Sequence, residues 1–369
     1  MQSASQPDSR KNSLHIGLVG PLPPPFGGMA NQTKQLAGLL SSEGVKVTLV
    51  QTNRPYPHPL FARIKGIRAV FRLIPYILEL WTVCKNVDCL HVMANSGWSW
   101  QVFAAPAIWV AWFKNVPVIV NYRGGEAEVY LQTSIKFVAP TLKKISALVV
   151  PSGFLQTVFD KYGFAARVIP NIVDLNRFAF ASNKCVRNKE APVIVIARNL
   201  ESIYGIDVAI EAIAILRQKI PLVKVLIAGS GPLLESLSKL VQQKALTDNI
   251  EFTGKLTPEQ IAGLYAKADI MLNPTRVDNM PNSLLEALAA GLPIVTTAVG
   301  GIPYIVSDGE TALMVEPNNP EMMAAKLEQL IIDGALYEKL AENGIQYVQQ
   351  YAWRQVKQQW LTLYEQVTA

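Results

Sequence analysis

Cysteine is scarce in this chain. Its three thiols, Cys84, Cys89 and Cys185, show no metal-ligand spacing and no even count for a disulfide framework. Their reading is a reducing, cytosolic compartment. Charge is scarce too, at 17% of residues against 50% hydrophobic, which excludes a disordered chain and predicts well-buried cores. Long apolar runs are missing. The most lipid-like stretch, 98–113, holds Pro106 and is too short to cross a bilayer, so it predicts a buried helix. Residues 1–13 (MQSASQPDSRKNS) have no apolar core, so they read as a tail and not a signal peptide. A G-x-G-x-x-G fingerprint is absent, which leaves dinucleotide binding little support. There is also no Asp-x-Asp pair and no His/Cys cluster, so no metal and no cofactor are expected. The three histidines, His15, His58 and His91, read as structural.

What is present begins with length. A chain of 369 residues accommodates about two domains. Its net charge of +6 hides an asymmetry. Residues 1–185 hold 19 Lys and Arg against 8 Asp and Glu, a balance of +11, and residues 186–369 hold 15 against 20, a balance of −5. No nucleic-acid module accompanies the basic half, which leaves an anionic membrane surface or an anionic acceptor as its partner. Residues 60–81 carry helical spacing, with Leu60, Ile64, Ile67, Phe71, Ile74, Leu78 and Trp81 on one stripe. Lys65, Arg68 and Arg72 share another sector of that helix. They are either a solvated face or a face that docks on a membrane.

Short apolar runs alternate with helical stretches along the whole chain, which argues parallel sheets covered on both faces. The first strand, 14–19, meets PLPPPFGGM and then a helix over 31–40, the opening of a doubly wound domain. Gly27 and Gly28 there either let a ligand approach the backbone or form a plain turn. Residues 182–191 (SNKCVRNKEA) are the linker candidate, and a second series of strands and helices follows, with a Gly229-Ser230-Gly231-Pro232 loop after its second strand.

The chain is organised around 270–303, IMLNPTRVDNMPNSLLEALAAGLPIVTTAVGGIP. It reads as strand, polar loop, helix, turn and strand, with Pro274 and Pro281 as breakers and Gly291-Leu292-Pro293 ending the helix. The loop delivers Asp278 and Asn282 to a helix start, where free N–H groups and the helix dipole favour an anion. Glu286 follows one turn inside. Carboxylates on either side of an anion site suit a ligand with a diphosphate and free hydroxyls, as in a nucleotide sugar. Ser283-x-x-Glu286 is equally a capping box, in which Glu286 only bonds back to the backbone.

This segment resembles the acid, seven residues, Glu signature of the family-4 retaining glycosyltransferases (group 1). Its Pro-Asn-Ser-x-x-Glu-Ala and Ala-Gly-x-Pro-Ile-Val-x-Thr continuations carry the resemblance further. Further matches are Phe26-Gly27-Gly28, Pro170-Asn171 with Asp174, Ala228 to Pro232, Phe252-Thr253-Gly254 and Gly300 to Pro303. The resemblance implies the GT-B architecture, two Rossmann-like doubly wound α/β domains facing across a cleft. The first would span 14–181 and the second 192–352, with a last helix at 353–369 crossing back. It also implies a retaining transferase acting on a nucleotide-diphospho sugar, a UDP-sugar in the first instance. The acceptor would be a glycan or lipid-linked, in cell-envelope or exported polysaccharide synthesis, on the cytoplasmic side and at most peripheral to the membrane.

By the same resemblance Asp278 lies near the donor sugar hydroxyls and Glu286 takes the ribose hydroxyls. The backbone at Asn282, Ser283 and Leu284 would surround the diphosphate and sugar together with Gly27 and Gly28. Gly254 and Lys255 would border the base, close to the Gly229 loop, and Arg198 would bind the phosphates. The chain departs from the pattern in three places. Its first acid is Asp and not Glu. Tyr204 stands where a phosphate-binding Lys is expected, which leaves Arg276 or Arg123 to supply the cation. Arg123, in Tyr-Arg-Gly-Gly, occupies the region where a His is usual. The same layout serves sugar-nucleotide epimerases, and a membrane-associated scaffold without turnover is the other reading left open.

Overall fold

The computed structural model describes residues 14–24, 27–54, 67–179 and 188–369, with side chains from Arg72 onward in the helix that begins at Ile67. Two six-stranded sheets carry the fold. The first contains β1 (His15–Gly20), β2 (Lys46–Gln51), β3 (Cys89–Ala94), β4 (Val118–Tyr122), β5 (Ala147–Val150) and β6 (Arg167–Val168), in the order β2-β1-β3-β4-β5-β6. The second contains β7 (Val193–Ala197), β8 (Lys224–Ala228), β9 (Ile250–Gly254), β10 (Ile270–Asn273), β11 (Ile294–Thr297) and β12 (Leu313–Val315). Its order is β12-β11-β10-β7-β8-β9, with parallel registers such as Val193 with Lys224 and Met271 with Ile294. Inner strands such as β4 (VIVNY) and β7 (VIVIA) read as apolar runs because both faces are covered, whereas the edge strands β2 (KVTLVQ) and β9 (IEFTG) carry polar residues.

In the second sheet the order reverses between β7 and β10. Loops leaving the carboxyl ends of two strands at such a reversal diverge to opposite faces and open a crevice, where doubly wound sheets bind ligands. One face is sealed by the helices Ile206–Leu216 and Pro320–Ile332, where Ile210, Ile213, Leu327 and Ile331 pack with Ile194 and Ile196. The other is sealed by the helix Asn282–Ala289 through Leu284, Leu285 and Leu288 against Val195 and Met271. That buried face fixes where the helix start lies.

The chain divides into two compact units. One holds residues up to Asn121, Lys136–Leu148 and Tyr364–Ala369, and the other holds Tyr122–Ile135 and Val149–Leu363. In the first unit His91 is fully buried on β3 and bonded to the Tyr364 hydroxyl (2.7 Å) and the Asn121 amide (3.1 Å). His15 bonds to the Thr48 hydroxyl at 2.8 Å, so both act structurally, and His58 lies outside the described residues.

One expectation needs correction, that of a buried helix over 98–113. For the helix Ile67–Val83 periodicity leaves the direction of the stripe open, and among its described side chains Ile74, Leu78 and Trp81 are exposed while Tyr76 and Leu80 are the buried pair. Tyr76 and Leu80 are one turn apart, and the Tyr76 hydroxyl donates to the Phe103 carbonyl at 2.8 Å, so this sector packs inward. On the same helix Arg72 donates to the Arg54 carbonyl at 3.1 Å, while Lys65 and the side chain of Arg68 lie outside the described residues. The stretch 98–113 is buried only in part. A π-helical turn, Trp100–Ala104, leads into the helix Ala105–Phe113, and Trp98, Trp112 and Phe113 are exposed. None of the described helices is long and apolar enough to cross a membrane.

Candidate active site

Arg198 leaves the end of β7 and turns toward the loop after β10. Its Nε donates to Asn273 Oδ1 at 2.7 Å, and a terminal nitrogen donates to Asp278 Oδ2 at 2.5 Å. Asn273 is the last residue of β10 and fully buried, and its amide donates to the Thr296 hydroxyl at 2.9 Å on β11. Three neighbouring strands thus hold the guanidinium. The Arg198 and Asp278 side chains are only 10% and 13% exposed. Burial holds the Asp278 carboxyl above its ordinary range, with Arg198 pulling the other way.

The loop Pro274–Pro281 is fixed by close backbone approaches. Gly300 has φ +53° and its missing Cβ leaves room for the Asp278 carbonyl, and Gly301 does the same for Asn279 while donating its N–H to the Asp278 carbonyl at 3.1 Å. Gly300→Ala should therefore cost on the order of 1–3 kcal/mol and loosen donor binding by moving Asp278. Urea unfolding and a donor titration check it, and wild-type affinity in a destabilised variant would separate this turn from the site.

The helix Asn282–Ala289 starts without a cap. Its N-cap is Pro281, which makes no side-chain capping bond, and the buried Ser283 hydroxyl has no partner among the described residues. The capping-box reading fails here, because the N-cap is Pro281 and Ser283 stands inside the helix, while Glu286 Oε2 accepts from the Tyr265 hydroxyl at 3.4 Å. A true capping box stands elsewhere, at Thr257 and Gln260. Burial pushes the Glu286 carboxyl from an ordinary 4.5 to about 7, against the Tyr265 bond and the more distant Arg198 charge. The Leu284 N–H donates to the Pro281 carbonyl at 3.2 Å, and the positive end of the helix dipole lies at this start, which favours an anion.

Gly229 and Gly254 belong to the same crevice. The missing Cβ of Gly229 admits the Arg198 carbonyl, and the Gly229 N–H donates to the Gly254 carbonyl at 2.9 Å. Lys255 follows Gly254 and is exposed. The second unit thus gathers Arg198, Gly229, Gly254, Asp278 and the helix start at Asn282, Ser283 and Leu284 with Glu286. Gly27 and Gly28 stand in the first unit, where Gly28 opens the helix Gly28–Ser42, and Phe26 lies outside the described residues.

The two candidate replacement cations differ. Arg276 bonds to Asp207 (2.7 Å), Asn318 (2.6 Å) and the Ser202 carbonyl (2.6 Å), partners that hold it to the loop after β7 and to Asn318. Arg123 bonds to Asn171 Oδ1, while its buried Nε has no partner. Burial lowers its guanidinium only to about 10, so it stays charged at neutral pH. The Asn171 amide in turn donates to Asn282 Oδ1 and to the Met280 carbonyl, each at 2.8 Å, which ties Arg123 to the loop before the helix. Tyr204 does not restore a cation. Its ring lies 5.2 Å from the Arg198 guanidinium, where the ring face attracts the charge.

Asn273, Tyr265 and the bridging role of Asn171 were not read from the sequence. A polar residue closing a buried apolar strand was the one available signal for Asn273.

Two parallel sheets, one with a crevice at its strand-order reversal beside the Arg198–Asp278 pair, define a doubly wound α/β protein. Family models for "Glycosyl transferases group 1" and "Glycosyltransferase Family 4" match residues 178–347 and 26–177, and the chain belongs to this glycosyltransferase family. It is 28% identical to the D-inositol 3-phosphate glycosyltransferase of Corynebacterium jeikeium over 224 residues, 57% of this chain and 54% of that protein. The chain thus spans about half the length of such curated relatives. It is also 28% identical to the sulfoquinovosyl transferase of Arabidopsis thaliana, covering 94% of this chain and 72% of that protein. Among solved structures, sucrose-phosphate synthase from Thermosynechococcus elongatus superposes with a TM-score of 0.78 at 20% identity, covering 96% of this chain and 98% of that one. Anabaena HepE in complex with UDP and glucose gives 0.76 at 16%, covering 96% and 100%. These likenesses establish the GT-B fold.

Proposed function

We propose that this chain is a retaining glycosyltransferase. It moves a sugar from a nucleotide-diphospho sugar, a UDP-sugar in the first instance, to a glycan or lipid-linked acceptor. The observation that carries this is the Arg198–Asp278 pair beside an uncapped, buried helix start with Glu286 one turn in. Arg198 and the helix start at Ser283 take the charge that develops on the leaving diphosphate, with the Leu284 backbone beside them. Arg123 supplies the second cation from the Asn171–Asn282 side. Asp278 orients sugar hydroxyls and Glu286 the ribose, while the Gly229, Gly254 and Lys255 backbone borders the base. HepE's crystallisation with UDP supports that donor class. Work in cell-envelope or exported polysaccharide synthesis, on the cytoplasmic side and in peripheral contact with an anionic membrane, completes the reading.

The test is donor hydrolysis without acceptor, run over UDP- and GDP-sugars in the presence of a chelator. One UDP-sugar should release UDP with retained anomeric configuration, and at the same rate with or without the chelator, since protein cations carry the phosphate charge. An epimerised donor, or no turnover of any donor, would replace this reading. A strict need for Mg²⁺ or Mn²⁺ would remove Arg198 and Arg123 from the proposed charge-bearing role.

A further inference from the structure

The exposed helix faces point to a surface that the donor site does not use. Ile74, Leu78 and Trp81 recur at helical spacing on the exposed side of Ile67–Val83, with Leu78 63% and Trp81 43% exposed. At the end of Ala105–Phe113, Trp112 is 42% and Phe113 65% exposed, with their rings 5.0 Å apart. Scattered apolar side chains on a surface are ordinary, but a connected set containing two tryptophans is not. Lysines connect this one: Lys114 Nζ lies 3.8 Å over the Trp81 ring, and Lys144 Nζ lies 4.3 Å over the Trp112 ring. Lys85 and Lys143 are exposed beside them in sequence. These lysines fall in the three turns that lead into β3, β4 and β5, which are adjacent strands, so the turns share one edge of the sheet. Across residues 84–88, 114–117 and 143–146 the single acid is Asp88, and its carboxylate accepts the His15 N–H at 2.7 Å. All of these residues belong to the first unit.

We infer that this face docks the protein on an anionic lipid bilayer, with Trp81, Trp112 and Phe113 at headgroup depth and Lys85, Lys114, Lys143 and Lys144 on lipid phosphates. Tryptophan suits that depth because its ring is apolar and its N–H is polar. Each lysine near an anionic surface adds about 1 kcal/mol, and its aliphatic stem lies along the rings while the ammonium stays wet. A protein partner fits less well, since protein interfaces are depleted in lysine and this patch interleaves lysine with every aromatic cluster. The inference takes from the proposed function only its purpose, bringing the enzyme to a lipid-linked acceptor. It draws on none of Lys65, Arg68 and Arg72.

Flotation of the whole chain with phosphatidylcholine vesicles, with and without phosphatidylglycerol, tests it in the absence of donor and acceptor. Wild type should float with the anionic vesicles, less at high salt, and its tryptophan emission should shift to the blue. Replacing Lys85, Lys114, Lys143 and Lys144 by Gln should lower partitioning by about tenfold or more. Trp112→Ser with Phe113→Ser should also release the protein, with its melting temperature and donor hydrolysis in solution unchanged. Equal flotation of wild type and both variants overturns the inference, as does binding indifferent to phosphatidylglycerol. A dimer in sedimentation that the serine pair abolishes would instead give the face to a second copy. Because flotation is read without turnover, an inactive protein that floats fails only the functional reading, and an active one that stays in solution fails only this one.

Discussion

Arg198→Ala is expected to lower donor turnover by about 10²–10³-fold, the usual cost of one preorganised donor to a developing anion. It should also destabilise the second unit by about 3–5 kcal/mol, because the change strips a mostly buried carboxylate of its ion partner. Asn273 loses its Arg198 bond in the same step, so the damage spreads to β10 and β11. Arg198→Lys is the informative control. It keeps the charge but not the fork that reaches Asn273 and Asp278 together, so stability should recover more than turnover. Asp278→Asn still accepts from Arg198 through its amide oxygen and should mainly lower turnover. Urea unfolding and initial rates of donor hydrolysis measure both halves. An alanine variant with wild-type turnover would leave Arg198 a structural anchor for the loop.

The parts legible in the sequence are those whose signal is local. Parallel strands buried on both faces appear as apolar runs, which is why the two strands of the 270–303 segment, Ile270–Asn273 and Ile294–Thr297, were legible. Leu313–Val315 was not, because three residues carry no period. Gly291, with φ +66°, ends its helix as its spacing predicts. What was not legible depends on distant partners. The direction of the 67–83 stripe is set by whichever sector meets Tyr76's partner at Phe103, and a periodic pattern has no sign for inside and outside. Arg276 and Arg123 look equivalent in sequence, yet Asp207 and Asn318 hold one, while Asn171 leaves the other an unused N–H. Ser283-x-x-Glu286 satisfies the capping-box pattern, but the helix begins one residue earlier, at Asn282 after Pro281, and Tyr265 of the preceding helix, Pro258–Lys267, takes Glu286.

That last difference makes Glu286→Gln the sharpest separation of folding from binding. Burial holds the folded carboxyl near 7, while the unfolded chain titrates near 4.5. The folded state therefore keeps a proton that the unfolded state releases, and its favourable contribution is complete below about 4.5 and lost as pH rises through about 7. Gln is neutral throughout, so the variant should lose this slope and be at least as stable as wild type at pH 8. Donor binding should move the opposite way. An ionised Glu286 accepts two ribose hydroxyls, so wild-type affinity should tighten as pH rises through about 7, while the variant stays flat. Gln accepts with one oxygen only and should bind donor more weakly by on the order of 1–3 kcal/mol at pH 8. Thermal melts and calorimetric titrations from pH 5 to pH 8 (round working values bracketing about 7) read both effects on one pair of proteins. A variant that melts like wild type at every pH would remove the raised carboxyl, and one that binds donor like wild type would remove Glu286 from the ribose.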